Sequence, residues 1–112
     1  MATDTSWLTD DTRALLGAIV ALDDVDEAAD FLRDLCTLGE LRDLSQRWAV
    51  VRLLDAGLHY GEISRQTGAS TATITRIASW LRHGEGGYRR MLERLSERSR
   101  SGSGPYPTVA ER

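Results

Sequence analysis

The chain has 112 residues, a length typical of one domain, and its 14 basic and 17 acidic residues give a net charge of -3. It has no apolar run long enough to span a membrane and no basic segment followed by an apolar core near its start. We therefore expect a cytoplasmic protein without a membrane partner. Its single cysteine, Cys36, has no partner for an internal disulfide, and a small buried hydrophobe is its ordinary role.

The charge is unevenly distributed along the chain. Residues 1–58 contain 12 acidic residues and 5 arginines, whereas residues 59–112 contain 5 acidic residues and 9 arginines. A phosphate backbone responds to the local charge, because exposed charges are screened beyond roughly 10 Å at 0.1 M salt. The acidic net charge therefore does not exclude a nucleic-acid partner for the second half.

Two amphipathic helices are predicted near the start of the chain. Residues 1–8 have no apolar periodicity and are expected to be flexible. Thr9, followed by two aspartates, is typical of a helix N-terminus, and the apolar stripe after it continues to the aspartates at 23–24. The same period returns over residues 25–35, where the opposite face is acidic and is expected to be solvated.

A third helix is predicted to begin at a capping box. Thr37 and Glu40 form the T-x-x-E pattern, and the helix should end near Gly57. Its apolar residues extend around much of the helix, which is typical of a helix surrounded by others. Because so short a chain offers few partners to cover this surface, we expect a homodimer in which helices from two chains interleave.

Residues 60–82 have the spacing of a helix-turn-helix motif. Gly68 supplies the positive φ of the turn, and the isoleucines before and after it are placed where two steeply crossing helices bury apolar side chains. Those isoleucines are Ile63, Ile74 and Ile77. Ser70 is predicted to cap the second helix.

The outward side chains of the motif are short and polar, or arginine. Such residues suit phosphates and base edges in the major groove. The predicted DNA-binding residues are Arg65, Ser70, Thr71, Ala72, Thr73, Thr75, Arg76, Ser79 and Arg82.

The chain is predicted to end in a short helix and a tail. A glycine-rich break over residues 83–87 precedes an apolar stripe over residues 88–95 with helical spacing. Residues 99–112 are rich in Ser, Gly, Pro and charge, and we expect them to be disordered.

Two alternatives to a DNA-binding head remain open. One is a hairpin of two helices that only packs, and the other is a protein-interaction module that uses the same face. An enzyme is not expected, because the two histidines are isolated, no Cys/His/Asp cluster has metal-ligand spacing and no glycine-rich loop follows a strand. We accordingly predict no metal and no cofactor.

Four segments resemble the Trp-repressor-like regulators of the YerC/YecD type. They are Asp34-Leu35-Cys36-Thr37, Leu44-Ser45-Gln46-Arg47, the stretch from Gly68 to Arg76, and Gly84-Glu85-Gly86-Gly87-Tyr88. The resemblance implies an all-α helical bundle over residues 9–98 and an intertwined homodimer. It also implies two helix-turn-helix heads held about one DNA turn, roughly 34 Å, apart. The function implied is a sequence-specific regulator of transcription, most simply a repressor.

The resemblance also identifies a pocket for a small-molecule effector. In tryptophan-sensing members two arginines hold the indole, and Arg47 and Arg76 match them. The small residues that make room are replaced here by Ile77 and Trp80, so we predict no dependence on tryptophan, since overpacking costs about 1–3 kcal/mol. Trp80 is interpreted either as a core aromatic or as a cation–π partner of Arg76 that occupies the effector's place. A different small-molecule effector remains an alternative.

Overall fold

The computed structural model describes residues 4–100, which form six α-helices and, within that range, no β-strand. The helices are α1 (Asp10–Val20), α2 (Val25–Leu35), α3 (Leu38–Asp55), α4 (Tyr60–Thr67), α5 (Thr71–His83) and α6 (Gly87–Arg100). The predicted all-α class is confirmed. Of the helices in this described part of the chain, none is both long and apolar enough to cross a bilayer.

Three of these helices begin after an N-cap residue that the sequence predicts. The hydroxyls of Thr9, Thr37 and Ser70 each accept a hydrogen bond from the backbone N–H three residues later, at 3.1 Å in each case. At α3 the capping box is complete, because Glu40 Oε1 also accepts from the Thr37 N–H at 2.8 Å. Each bond satisfies a backbone donor that the first helical turn leaves unpaired.

The chain divides into two compact units at the junction of Leu35 and Cys36. The first unit contains α1 and α2, neither of which has a buried residue. The second unit contains α3 to α6 and all of the fully buried side chains found in residues 4–100. The single domain predicted over residues 9–98 therefore spans both units.

The core of the second unit lies where α3, α4 and α5 pack together. Its buried residues are Val50, Val51, Ile63, Ala69, Ile74 and Ile77. The prediction that the three isoleucines of the motif are buried is confirmed, with exposures of 0–1%. Helix α6 returns to α3, where the rings of Tyr88 and Trp48 lie 6.3 Å apart between centroids.

The two ends of the chain differ in part from the sequence prediction. Helix α6 continues through Arg100, although the tail was predicted to begin at residue 99. The Arg100 guanidinium donates to Ser96 Oγ at 3.0 Å, one helical turn back, which stabilises this end. Before α1, the Leu8 N–H donates to the Thr5 carbonyl at 2.9 Å and closes a turn. The remaining residues of the predicted flexible ends, 1–3 and 101–112, lie outside the described part.

Candidate nucleic-acid interface

The turn between α4 and α5 requires a glycine. Gly68 has φ 76° and ψ 0°, in the left-handed region, and its N–H donates to the Ser64 carbonyl at 2.8 Å. The Thr67 hydroxyl adds two bonds, donating to the Ile63 carbonyl at 2.7 Å and accepting from the Ala69 N–H at 3.1 Å. These bonds fix the angle at which α5 leaves α4.

A glutamine of α3 holds the same turn from behind. Gln46 Nε2 donates to the Thr67 carbonyl at 3.1 Å, so the last turn of α4 is bonded to α3 as well as packed against it. Sequence reasoning did not assign this role to Gln46. The two residues are 21 positions apart, and no local pattern marks a bond between positions that distant in sequence.

One side of α5 faces solvent with short polar side chains and one arginine. The helix buries Ile74, Ile77 and Ala78 on its inner side. Six of the predicted DNA-binding residues are exposed at its N-terminus or on its outer side: Ser70, Thr71, Ala72, Thr75, Arg76 and Ser79. These six form a contiguous surface, which we call the α5 outer face.

Local hydrogen bonds restrict what this face can offer to DNA. The Thr75 hydroxyl donates to the Thr71 carbonyl at 2.9 Å, one turn back. Its proton is therefore used within the helix, while its oxygen lone pairs and its methyl group remain free to meet a base-edge donor or a thymine methyl group. Arg76 is exposed and carries the positive charge of this face, and its guanidinium also donates to the Thr73 hydroxyl at 3.4 Å, at the edge of the cleft between α3 and α5.

Thr73 does not belong to the α5 outer face. It is only half-exposed, and its hydroxyl lies 3.0 Å from Ser70 Oγ and 3.4 Å from Arg76 Nη2. Its side chain lines the cleft between α3 and α5. The sequence pattern predicts a DNA contact for Thr73, and the structure places its side chain beside the cap and the cleft, because it lies on the side of α5 that faces α3.

Arg82 is also separated from the α5 outer face. It is exposed, but it lines a depression formed with Leu54, Asp55 and Arg89, near the end of α3. Arg89 in turn lies 3.5 Å from the Asp55 carboxylate. The structure therefore does not bring Arg82 together with the other predicted DNA-binding residues.

Arg65, the predicted contact from α4, is paired within its own helix. Its guanidinium donates through Nε to Glu62 Oε1 at 3.2 Å and through Nη2 to Glu62 Oε2. Gln66 Nε2 donates to the same carboxylate at 2.8 Å. The hydrogen bond from Arg65, followed by that from Gln66, lowers the pKa of Glu62, and the carboxylate raises the pKa of Arg65.

The four residues predicted for an effector pocket line one cleft between α3 and α5. The cleft has a volume of about 180 Å³ and is lined by Asp43, Gln46, Arg47, Thr73, Arg76, Ile77 and Trp80. Ile77 is 1% exposed, whereas Trp80 is 48% exposed. Trp80 is therefore not a core aromatic of the single chain. The Arg76 guanidinium donates a hydrogen bond to the Thr73 hydroxyl.

Two further polar residues of this cleft, Asp43 and Gln46, are not among the predicted pocket residues. Asp43 lies one helical turn before Arg47 on the same face of α3, so the i, i+4 spacing was a usable signal for it. Within residues 4–100, His, Cys, Asp and Glu side chains nowhere gather in the groups of three that a metal ion would need.

Comparison with known proteins identifies the family. The model of the Trp repressor protein family matches residues 10–96, which include all of α1 to α5 and most of α6. The chain belongs to the Trp repressor family. This is a family of DNA-binding regulators, and membership confirms the resemblance drawn from the sequence.

Individual relatives support the same conclusion. The chain is 42% identical over 83 residues to the uncharacterised protein YerC of Bacillus subtilis (strain 168), a match that covers 74% of this chain and 80% of YerC. Two solved structures share the Trp repressor fold. A TrpR-like protein from Eubacterium eligens has a TM-score of 0.79 at 43% identity, covering 83% of this chain and 96% of that one. A proposed Trp repressor from Staphylococcus aureus has a TM-score of 0.77 at 34% identity, covering 85% and 96%.

Proposed function

We propose that the protein is a sequence-specific regulator of transcription, acting as a repressor, that binds double-stranded DNA as a homodimer with α5 in the major groove. The observation that carries the proposal is the α5 outer face, with hydroxyls, a methyl group and the Arg76 guanidinium exposed together. The sequence of α5, Thr71–His83, contains no acidic residue that would repel phosphate.

The dimensions of α5 suit this role. Its 13 residues make a helix of about 20 Å, and the major groove, about 12 Å wide, admits a helix. The glycine turn and the bond from Gln46 hold α4 and α5 as one rigid head. A rigid head supports specific binding, because little flexibility is lost when it docks.

The proposed homodimer is supported by apolar side chains that a single chain leaves uncovered. In the unit that ends at Leu35 they include Leu16, Ile19 and Val20, and in the other unit Trp80 and Met91 are more than 40% exposed. Large exposed apolar surfaces mark interaction sites. A second copy of the chain would cover such surfaces and present two heads to a two-fold symmetric operator.

We propose that DNA binding does not depend on tryptophan. Ile77, which is buried, and Trp80 both line the cleft between α3 and α5. An indole ligand would have to displace a packed branched side chain, and overpacking of that kind costs about 1–3 kcal/mol.

A regulator with a different small-molecule effector is the second candidate. The cleft of about 180 Å³ supports it, because Asp43, Arg47 and Arg76 place charges of both signs around it. If a compound fills this cleft, adding a pool of metabolites should change the DNA affinity of the wild type. The same pool should leave the affinity of an Arg47→Ala variant unchanged.

Selecting random duplexes on the purified full-length protein tests the main proposal. We expect one enriched sequence with two-fold symmetry, bound with a steep dependence on salt because phosphate contacts release counterions. An Arg76→Ala variant should lose about tenfold or more in affinity for the enriched duplex. An Arg94→Ala variant, which removes the same charge from the exposed side of α6, is the matched control and should lose less than twofold.

Two outcomes would contradict the proposal. If no duplex is enriched and binding is insensitive to salt, the alternative of a protein-interaction module gains support, because protein docking needs no phosphate neutralisation. If L-tryptophan raises the affinity for the enriched duplex, the protein is a DNA-binding regulator, but the proposal that it acts independently of tryptophan is wrong.

A further inference from the structure

Helix α4 carries one positive and one negative side chain, and they are bonded to each other. Within Tyr60–Thr67, Arg65 is the only basic residue and Glu62 the only acidic one. The side chain of Arg65 is 71% exposed and that of Glu62 is 38% exposed, so the pair is open to solvent. The first helix of the head therefore presents almost no net charge to a phosphate backbone.

One forked edge of the Arg65 guanidinium, formed by Nε and Nη2, is already occupied. Arg65 uses both Nε and Nη2 on the two oxygens of Glu62, the same forked geometry that arginine uses on phosphate. A phosphate oxygen must compete with the carboxylate for these donors. The Gln66 amide adds a third hydrogen bond to the carboxylate and holds it in place.

We propose that Glu62 limits the affinity of the head for DNA by competing with phosphate for Arg65. Glu62 acts on the interface through Arg65, as a competitor for its donors, and the proposal rests on the function proposed above. One carboxylate of α4 thus lowers the sequence-independent part of the affinity, and base recognition belongs to the α5 outer face.

The competition has a measurable salt signature. Each phosphate contact on duplex DNA adds about 0.9 to the slope of log affinity against log salt concentration. In the wild type Arg65 contributes little to that slope, because its charge is compensated by Glu62. A Glu62→Gln variant keeps the shape of the side chain and removes its charge, so it should release Arg65 to a phosphate.

The experiment measures fluorescence anisotropy of a labelled duplex with full-length protein at 50, 100 and 200 mM salt. We expect Glu62→Gln to bind about tenfold more tightly at 50 mM and about threefold more tightly at 200 mM, with a slope steeper by about 0.9. The gain should be equal on a random duplex and on a selected one, because phosphate contacts carry no sequence information.

A double-mutant cycle separates competition for Arg65 from simple repulsion of the DNA by Glu62. In an Arg65→Gln background, Glu62→Gln should improve binding by less than about threefold, because no guanidinium is left to release. The matched control is Glu97→Gln, an exposed carboxylate on α6 with the same change of charge, which should change affinity by less than about twofold. Unchanged thermal unfolding midpoints establish that all variants are folded.

Two results would overturn the inference while leaving the proposed function intact. Weaker binding by Glu62→Gln would mean that the carboxylate positions Arg65 for DNA, and equal gains with and without Arg65 would mean that Glu62 only repels phosphate. If neither the wild type nor any variant binds duplex DNA in a salt-dependent manner, the proposed function fails and this inference fails with it.

Discussion

Helices α3 to α5 and helices α1 to α2 have similar sequence signals but bury very different amounts of side chain. The first group encloses Val50, Ile63 and Ile74 at 0% exposure, whereas neither α1 nor α2 has a buried residue. In α1, Val20 is 84% exposed. An amphipathic pattern therefore predicts that a face will be covered without saying which chain covers it.

The physical origin of the difference lies in the short turn of the motif. Only three residues separate α4 from α5, and Gly68 turns the chain so that both helices pack against α3. Three helices crossing in this way can enclose a core within one chain. Two helices of 11 residues offer each other one face at most, so α1 and α2 depend on further surface to bury their stripes.

The largest effect is expected from opening the enclosed core. An Ile74→Ala variant should lower the free energy of unfolding by about 2–5 kcal/mol, because it removes a fully buried side chain and leaves a cavity. Denaturant titration followed by circular dichroism measures the loss. A loss below about 1 kcal/mol would show that α3 to α5 do not form a closed core and would remove the contrast with α1 and α2.

The next largest effect is expected on the apolar stripe of α1, through the oligomeric state. Replacing Ile19 by aspartate (Ile19→Asp) should weaken the proposed homodimer about 30-fold or more, since burial of such a side chain stabilises by about 2 kcal/mol. Analytical ultracentrifugation measures the dissociation constant. Ala14→Asp, on the opposite side of α1, is the control and should leave it unchanged. A wild type that stays monomeric at high concentration would contradict the homodimer.

Glycine-to-alanine changes should lower the stability of the protein in one region and raise it in the other. Gly68→Ala should destabilise by about 1–2 kcal/mol because φ is 76° there, although the added Cβ has an ordinary distance of 3.9 Å to Gln46 Nε2. Gly17→Ala, inside α1, should stabilise by about 0.5–1 kcal/mol, because the added Cβ would meet nothing within 4 Å beyond its chain neighbours and the backbone of its own helix. Thermal unfolding of both variants and the wild type measures whether each change raises or lowers the stability. Destabilisation of both would mean that α1 packs more tightly around Gly17 than the structure shows.

The smallest effects are expected from the helix caps. Ser70→Ala should cost about 1 kcal/mol of global stability, because it removes the cap of a helix that belongs to the core. Thr9→Ala removes the same bond from α1, and its cost should appear mainly as faster amide exchange in the first turn of α1. Equal global losses would show that α1 unfolds together with the head.

The helices and the motif could be predicted from sequence because their signals are local. The caps at Thr9, Thr37 and Ser70 and the glycine of the turn each act within a few residues, and all were found where expected. The buried isoleucines followed from helical spacing alone. Glu62 and Arg65 also have the i, i+3 spacing of an ion pair, a local signal that the predicted DNA contact of Arg65 left out of account.

The structure brings some of the predicted site residues together and separates others. Arg47, Arg76, Ile77 and Trp80 do share one cleft, as the family resemblance implied. In contrast, Thr73 and Arg82 were assigned to DNA, and their positions depend on which side of α5 faces the rest of the chain. Outward and lateral positions on a helix differ by a rotation of about one residue, and sequence periodicity resolves that rotation poorly.

The sequence by itself determined six helices, the glycine turn between α4 and α5 and the apolar residues that close the head. Only the tertiary structure decided that Gln46 holds the turn, that Thr73 lines the cleft and that the Trp80 side chain is half-exposed in one chain. The physical reason is the separation along the sequence over which each interaction acts. Caps, turns and periodicity act over three to five residues, whereas these later features join residues of α3 to residues more than 20 positions away.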